Sequence, residues 1–122
     1  MPKKTTPEPT AKEVAHEAAG RMVQKKGNDV VILDLRKHSG TTDFFVIGSG
    51  ATEVQVRALC DAVIEGLEEK GVAIYHVEGY QDRRWILVDC VDVVVHVFLD
   101  DLRSFYGLER LWGDAPIERI EE

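Results

Sequence analysis

Two apolar, strand-like segments of the chain lie back to back between residues 85 and 99. Residues 85–88 read Trp-Ile-Leu-Val, and residues 93–99 read Val-Val-Val-His-Val-Phe-Leu. This composition, rich in β-branched and aromatic side chains, is typical of strands on a buried sheet surface. The second segment is apolar at the positions of both faces except at His96, which predicts a central strand covered on both sides.

A hairpin is expected between these two strands. A two-residue turn at Cys90-Val91 would pair Trp85 with His96 across the hairpin. The face that results is either core beneath a helix, which is the commoner case, or a binding patch, because aromatic residues and Arg dominate interface energetics. Side chains expected on this face are those of Trp85, Leu87, Val94, His96 and Phe98.

The residues upstream of the hairpin alternate between helical and strand patterns. Thr10 and Thr52 each open a capping box, predicting helices that run to about Lys26 and about Lys70. Strands are expected at residues 30–35 and 43–47, paired antiparallel, with a tight exit at Gly48-Ser49-Gly50. A third strand at 72–77 implies a parallel crossover through the second helix.

The predicted fold class is therefore α/β (α+β), with a mixed sheet of about five strands flanked by helices. Beyond the hairpin, a further helix is expected from Asp100, interrupted at Gly107. We predict a disordered tail at residues 1–9, a single α/β domain at 10–115 and a frayed C-terminus at 116–122.

Composition narrows the class of partner. The 122 residues carry a net charge of −7, and the pI is about 5.1. Binding to a nucleic-acid backbone is therefore not expected, because that affinity comes from clustered Lys and Arg. A basic protein would be a favourable partner instead. The apolar runs are of strand length and no signal peptide is visible, so no membrane contact and a cytoplasmic location are expected. The two cysteines, Cys60 and Cys90, are interpreted as buried reduced thiols.

The candidate chemistry is weak. Gly48-Ser49-Gly50 precedes a helix, as in some phosphate sites and nucleotidyltransferases, but neither a P-loop nor a G-x-G-x-x-G pattern is present. The strand-borne pair of carboxylates that holds Mg²⁺ in such enzymes is also missing. His96 has no second ligand at metal spacing, so a satisfied core or interface histidine is favoured. We predict no enzyme activity, no cofactor and no metal.

Several motifs carry a family resemblance. They are residues 43–50 (Asp-Phe-Phe-Val-Ile-Gly-Ser-Gly), 85–89 (Trp-Ile-Leu-Val-Asp), 92–98 (Asp-Val-Val-Val-His-Val-Phe) and the spaced ending Arg103, Tyr106, Leu108, Glu109, Leu111 and Trp112. Through them the chain, from about Val14 to Trp112, resembles the Iojap family of ribosomal silencing factors (RsfS).

The resemblance implies a non-catalytic homodimer whose core is similar to that of nucleotidyltransferases but lacks their catalytic acids. Members bind a ribosomal protein of the L-fourteen family on the large ribosomal subunit. They block subunit joining and so repress translation when nutrients are scarce. The alternatives left open are a nucleotidyltransferase-like nucleotide-binding protein and a homodimeric scaffold with another partner.

The resemblance also implies which residues form the contact with the ribosomal protein or the dimer. Trp85 is the first candidate for the ribosomal contact. One departure affects the hairpin: the family often has Gly where Val91 stands. A β-branched residue at positive φ is destabilising, so a longer turn or a turn of another type is an alternative. The candidate contact residues are Trp85, Leu87, Asp89, His96, Arg103, Tyr106, Glu109 and Trp112.

Overall fold

The computed structural model describes residues 8–38, 42–107, 110 and 112–121, with residues 104–106 given by their backbone only. Six strands form one mixed sheet in the order β3-β4-β5-β2-β1-β6. Strands β2 and β5 pair in parallel, and every other neighbouring pair is antiparallel. The elements are α1 (Ala11–Gln24), β1 (Asn28–Asp34), β2 (Phe44–Gly50), α2 (Glu53–Glu69), β3 (His76–Glu78), β4 (Trp85–Asp89), β5 (Val93–Leu99), α3 (Asp100–Tyr106) and β6 (Ile117–Arg119).

Both predicted long helices are present; the capping box at Thr10 is confirmed, whereas the one predicted at Thr52 is only half formed. The Thr10 hydroxyl accepts from the Glu13 amide, and the Glu13 carboxylate accepts from the Thr10 amide. In α2, Thr52 caps the Gln55 amide, but the Gln55 side chain accepts from Ala51 rather than from Thr52. None of the helices in the described part of the chain is both long and apolar enough to cross a membrane.

The sheet separates two hydrophobic clusters. The larger cluster lies between the sheet and helices α1 and α2, where Val93, Val95 and Val97 of β5 are buried. The smaller cluster lies on the opposite face and includes Phe98 of the same strand. This confirms β5 as a central strand buried on both faces. The fold class is also confirmed, with six strands in place of about five.

The predicted hairpin register is wrong by two residues. Trp85 pairs with Phe98, and Leu87 pairs with His96. The turn lies one residue further along the chain than predicted, because the Cys90 amide donates to the Val93 carbonyl and so encloses Val91 and Asp92. Since side chains alternate with a period of two, this shift leaves the same side chains on the same face.

Three other expectations about strands need correction. Gly48-Ser49-Gly50 is not an exit turn but the end of β2, paired along β5. The strand after α2 spans only His76–Glu78, although it runs in the same direction as β2, as predicted. Residues 117–119 are not frayed: they form β6, which pairs with β1.

Candidate functional site

Aromatic side chains cross the sheet face that lies opposite α1 and α2. They come from three adjacent strands and from the segment after α3. Neighbouring ring centroids lie 4.5 to 6.3 Å apart, which is the range of favourable aromatic pairing. We call this group the aromatic surface; its members are Phe45, Trp85, His96, Phe98 and Trp112.

Trp85 lies on β4 at one end of the aromatic surface and is half-buried. Its ring stacks on Phe98 with centroids 5.0 Å apart. Its indole Nε1 donates a hydrogen bond to Nδ1 of His96 at 3.0 Å. The indole therefore has both a packing contact and a polar contact that fix its orientation, while part of the ring faces solvent.

His96 is a buried member of the aromatic surface and is only 3% exposed. Burial lowers the pKa of its imidazole to about 4, so the ring is neutral at physiological pH. Its Nε2 is buried and has no hydrogen-bond partner among the described residues. The Phe45 ring meets it edge-on, with centroids 4.5 Å apart.

Trp112 closes the other end of the aromatic surface. Its ring lies edge-to-face with Phe45, at a centroid distance of 6.3 Å, and with His38, at 5.1 Å. His38 in turn lies 3.6 Å from a carboxylate oxygen of the exposed Asp114. Trp112 is half-buried, so, like Trp85, it combines a packed side with an accessible one.

Matches to known proteins identify the family of the chain. A family model described as "Ribosomal silencing factor during starvation" (RsfS) matches residues 8–122. A protein of Halalkalibacterium halodurans named "Ribosomal silencing factor RsfS" is 42% identical over 109 residues, which cover 89% of this chain and 93% of that protein. The chain belongs to the ribosomal silencing factor family. The resemblance seen in its motifs is confirmed.

Two other matches extend the comparison. A crystal structure of a Chromobacterium violaceum protein superposes with a TM-score of 0.83 at 36% identity, covering 86% of this chain and 88% of that one. A Mus musculus protein named "Mitochondrial assembly of ribosomal large subunit protein 1" is 28% identical over 92 residues, which cover 73% of this chain and 40% of that protein. The fold of this silencing-factor chain is thus shared with a solved structure.

Arg103 belongs to the C-terminal motif that resembles the family, and its side chain is buried rather than exposed. It is 8% exposed, and its Nη1 donates to the Asn28 carbonyl at 3.0 Å and to the Ser49 hydroxyl at 3.3 Å. The side-chain amide of Asn28 also donates to the Asp100 carboxylate at 3.0 Å. These bonds attach α3 to the ends of β1 and β2.

The attachment of α3 also explains the role of the tripeptide Gly48-Ser49-Gly50 in the structure. Ser49 is 2% exposed, and its hydroxyl is occupied by Arg103 and the Asn28 carbonyl. A side chain at Gly48 would come within 2.8 Å of the Met22 sulfur. In this silencing factor the tripeptide is a packing site for helices, and the loop that motivated the nucleotide-binding alternative is not formed.

The remaining candidates divide into those near the aromatic surface and those outside the described residues. Leu87 lies beside His96 on the same face and is half-buried. Asp89 lies at the end of β4, where its carboxylate accepts from the Val91 amide at 2.8 Å. The side chain of Tyr106 and all of Glu109 lie outside the described residues.

The cysteines are free thiols, as predicted. Cys60 is buried and Cys90 half-buried. Burial raises the pKa of Cys60 to about 12 and that of Cys90 to about 11, so neither is a thiolate at neutral pH. In the described ranges, no group of three or more His, Cys, Asp or Glu side chains has a metal-binding arrangement.

The sequence did not indicate that Phe45 belongs to the aromatic surface or that His38 contacts Trp112. The run Phe44-Phe45-Val46-Ile47 is apolar at every position, so no alternation distinguishes the two faces of β2. Its pairing with β5 identifies them: Phe44 faces the helices, whereas Phe45 lies beside His96.

Proposed function

We propose that this protein binds the large ribosomal subunit through a ribosomal protein of the L-fourteen family. Bound there, it blocks joining of the small subunit and represses translation in the cytoplasm. Membership in the ribosomal silencing factor family supports this role. The name of the mouse relative, which refers to assembly of the ribosomal large subunit, supports the choice of subunit.

The aromatic surface is the contact that we propose, and this feature carries the proposal. Trp85 and Trp112 are half-buried anchors on a sheet face that neither α1 nor α2 covers. Tryptophan is among the residues that contribute most to protein–protein affinity, because it buries a large rigid area. The net charge of −7 favours approach to a basic ribosomal protein over contact with rRNA.

The mechanism that we propose is steric and does not involve an enzymatic step. A bound domain of 122 residues occupies volume next to its contact on the large subunit. If that contact lies where the small subunit docks, the two cannot be bound together. Repression then requires occupancy alone and needs neither hydrolysis nor a cofactor.

Substitution Trp85→Glu tests the surface. We expect the variant to remain folded, because Trp85 is only half-buried, and to stop co-sedimenting with purified large subunits. Placing a carboxylate in an apolar contact removes the anchor and buries a charge without a partner. The measurement is sedimentation of subunits through a sucrose gradient, with joining of the two subunits scored in parallel.

A matched control is Val54→Glu, which makes the same change of charge at an exposed apolar residue on α2. Val54 is 74% exposed and lies on the helical side of the sheet. This control should bind as the wild type does. Retained binding by Trp85→Glu would remove the aromatic surface from the proposal. Unchanged joining with the wild-type protein would remove the function itself.

We also propose that the protein forms a homodimer, as the family resemblance implies. Light scattering coupled to gel filtration measures this directly. A mass of one chain at concentrations at which large subunits are bound would contradict it.

A further inference from the structure

His96 has the least exposed polar side chain among those candidate contact residues whose side chains the structure describes, so a role in direct contact does not follow from its position. It is 3% exposed and is surrounded by the Phe45, Trp85 and Phe98 rings. Among the described residues, the one hydrogen bond that its ring makes joins it to Trp85. Any effect of His96 on a partner must therefore pass through the residues around it.

The direction of that hydrogen bond fixes the tautomer of His96. An indole nitrogen is a donor only, so Nδ1 of His96 must be the acceptor and carries no proton. In the neutral ring the proton then resides on Nε2. Burial disfavours the charged ring, which agrees with this assignment.

A histidine at this buried position lowers the stability of the protein relative to an apolar ring of the same size. Its protonated Nε2 is buried without an acceptor among the described residues, and an unsatisfied buried donor is destabilising. A phenylalanine ring has similar size and no such donor. The interaction that histidine adds, and phenylalanine lacks, is the bond to the Trp85 indole.

We propose that His96 is a positioning residue that holds the Trp85 indole in the orientation needed for partner binding. Without Nδ1, the half-buried indole keeps its stacking on Phe98 but loses its hydrogen bond to His96, which restrains rotation of the ring. A mobile anchor loses side-chain entropy on docking, and binding weakens accordingly. The consequence for the ribosomal partner rests on the proposed function, whereas the effect on Trp85 does not.

The test uses the full-length chain with His96→Phe and reads the two indole N–H groups by NMR. The Nε1–H resonance of Trp85 should shift and show increased fast motion in the variant. The resonance of Trp112, which makes no contact with His96, serves as an internal reference. Thermal unfolding should show a variant at least as stable as the wild type, because the unsatisfied donor has been removed.

Rescue by His96→Asn separates positioning from packing. The amide oxygen of Asn stands near the place of Nδ1 and accepts a hydrogen bond, although the smaller side chain packs less well. We expect His96→Asn to restore the ordered Trp85 resonance while lowering stability. If Trp85 is as ordered in His96→Phe as in the wild type, or is not restored by Asn, the inference is wrong.

Binding to purified large subunits gives the functional readout. His96→Phe should raise the dissociation constant about three- to tenfold, the range that the net value of one hydrogen bond allows. Equal affinities of His96→Phe and wild type would overturn the positioning role. A wild-type protein that fails to bind large subunits overturns the proposed function instead, and the NMR comparison still decides whether His96 orients Trp85.

Discussion

Val91 at the tip of the β4–β5 hairpin adopts a φ of 73°, in the left-handed region. A β-branched residue there is destabilised by about 1–2 kcal/mol. Two contacts maintain the conformation: the Asp89 carboxylate accepts from the Val91 amide, and the Thr42 hydroxyl donates to the Val91 carbonyl. The side chain itself is 62% exposed and adds little burial.

Substitution Val91→Gly should therefore stabilise the protein. Glycine relieves the strained φ but gives the unfolded chain more freedom, so we expect a net gain of about 1 kcal/mol. For a chain of this length the melting temperature should rise by about 4 °C, as measured by calorimetry. Val91→Ala keeps the positive φ on an L-residue and should gain less. A glycine variant no more stable than the alanine variant would contradict the assignment of strain.

The buried imidazole of His96 predicts a pH dependence of stability. Its pKa is about 4 when folded and 6.5 in the unfolded chain. Between these values the unfolded state binds a proton that the native state does not, so the free energy of unfolding falls as pH falls. The loss should reach about 3 kcal/mol between pH 6.5 and pH 4.

Urea denaturation of wild type and His96→Phe over this pH range measures the effect. Every other titrating group is common to both chains, so the difference between their curves isolates His96. The variant should lose less stability on acidification. Parallel curves would show that His96 does not titrate between the two pKa values.

At the scale of elements, α3 is attached to the sheet through the buried Arg103 guanidinium and through the hydrogen bond between Asn28 and Asp100. Arg103→Lys keeps the charge but loses the planar fork that reaches the Asn28 carbonyl and the Ser49 hydroxyl together. We expect about 1.5–3 kcal/mol of destabilisation, concentrated in α3. Hydrogen exchange should show faster exchange at residues 100–106, while α1 and α2 keep their protection.

The exposed Arg119 provides the control for that experiment. Arg119→Lys makes the same substitution at an exposed position on β6, and surface substitutions of this kind stay within about 0.5 kcal/mol. Exchange that rises equally over α1, α2 and α3 in Arg103→Lys would indicate global destabilisation and would contradict a local tether.

The sequence predicted elements well where a local signal is sufficient. The capping residues Thr10 and Thr52 correctly located both long helices, and the apolar run at residues 93–99 correctly indicated the central strand. Prediction failed where residues distant in the sequence determine the secondary structure. Ser49 continues β2 because β5 lies alongside it, and residues 117–119 form a strand because β1 offers a free edge.

The candidate surface shows the same division. Motif spacing led to Trp85, His96 and Trp112, all of which lie in the aromatic surface. Phe45 was missed, because only the pairing of β2 with β5 places it beside His96. Arg103 was proposed as a contact and is instead bonded inside the protein, since composition cannot distinguish an interface arginine from one that tethers a helix.

At the scale of the whole molecule, the steric mechanism that we propose predicts a definite stoichiometry. When the protein is titrated into a mixture of ribosomal subunits, joining should fall in proportion to the fraction of large subunits that are occupied. The inhibition should saturate at about one bound protein, whether a single chain or a dimer, for each large subunit. Adding or removing nucleotides should not change the titration. The measurement is the fraction of joined ribosomes by light scattering. Complete inhibition far below equal amounts would indicate turnover, as in an enzyme.

The sheet order has a consequence for behaviour at high concentration. Its two outermost strands, β3 and β6, have only three residues each, and every residue of β6 is exposed. A short, charged edge gives another chain few free backbone groups with which to pair, so edge-to-edge aggregation is suppressed. Pairing with other chains through the sheet edges is therefore disfavoured at high protein concentration, while Trp85 and Trp112 keep the accessible parts of their rings.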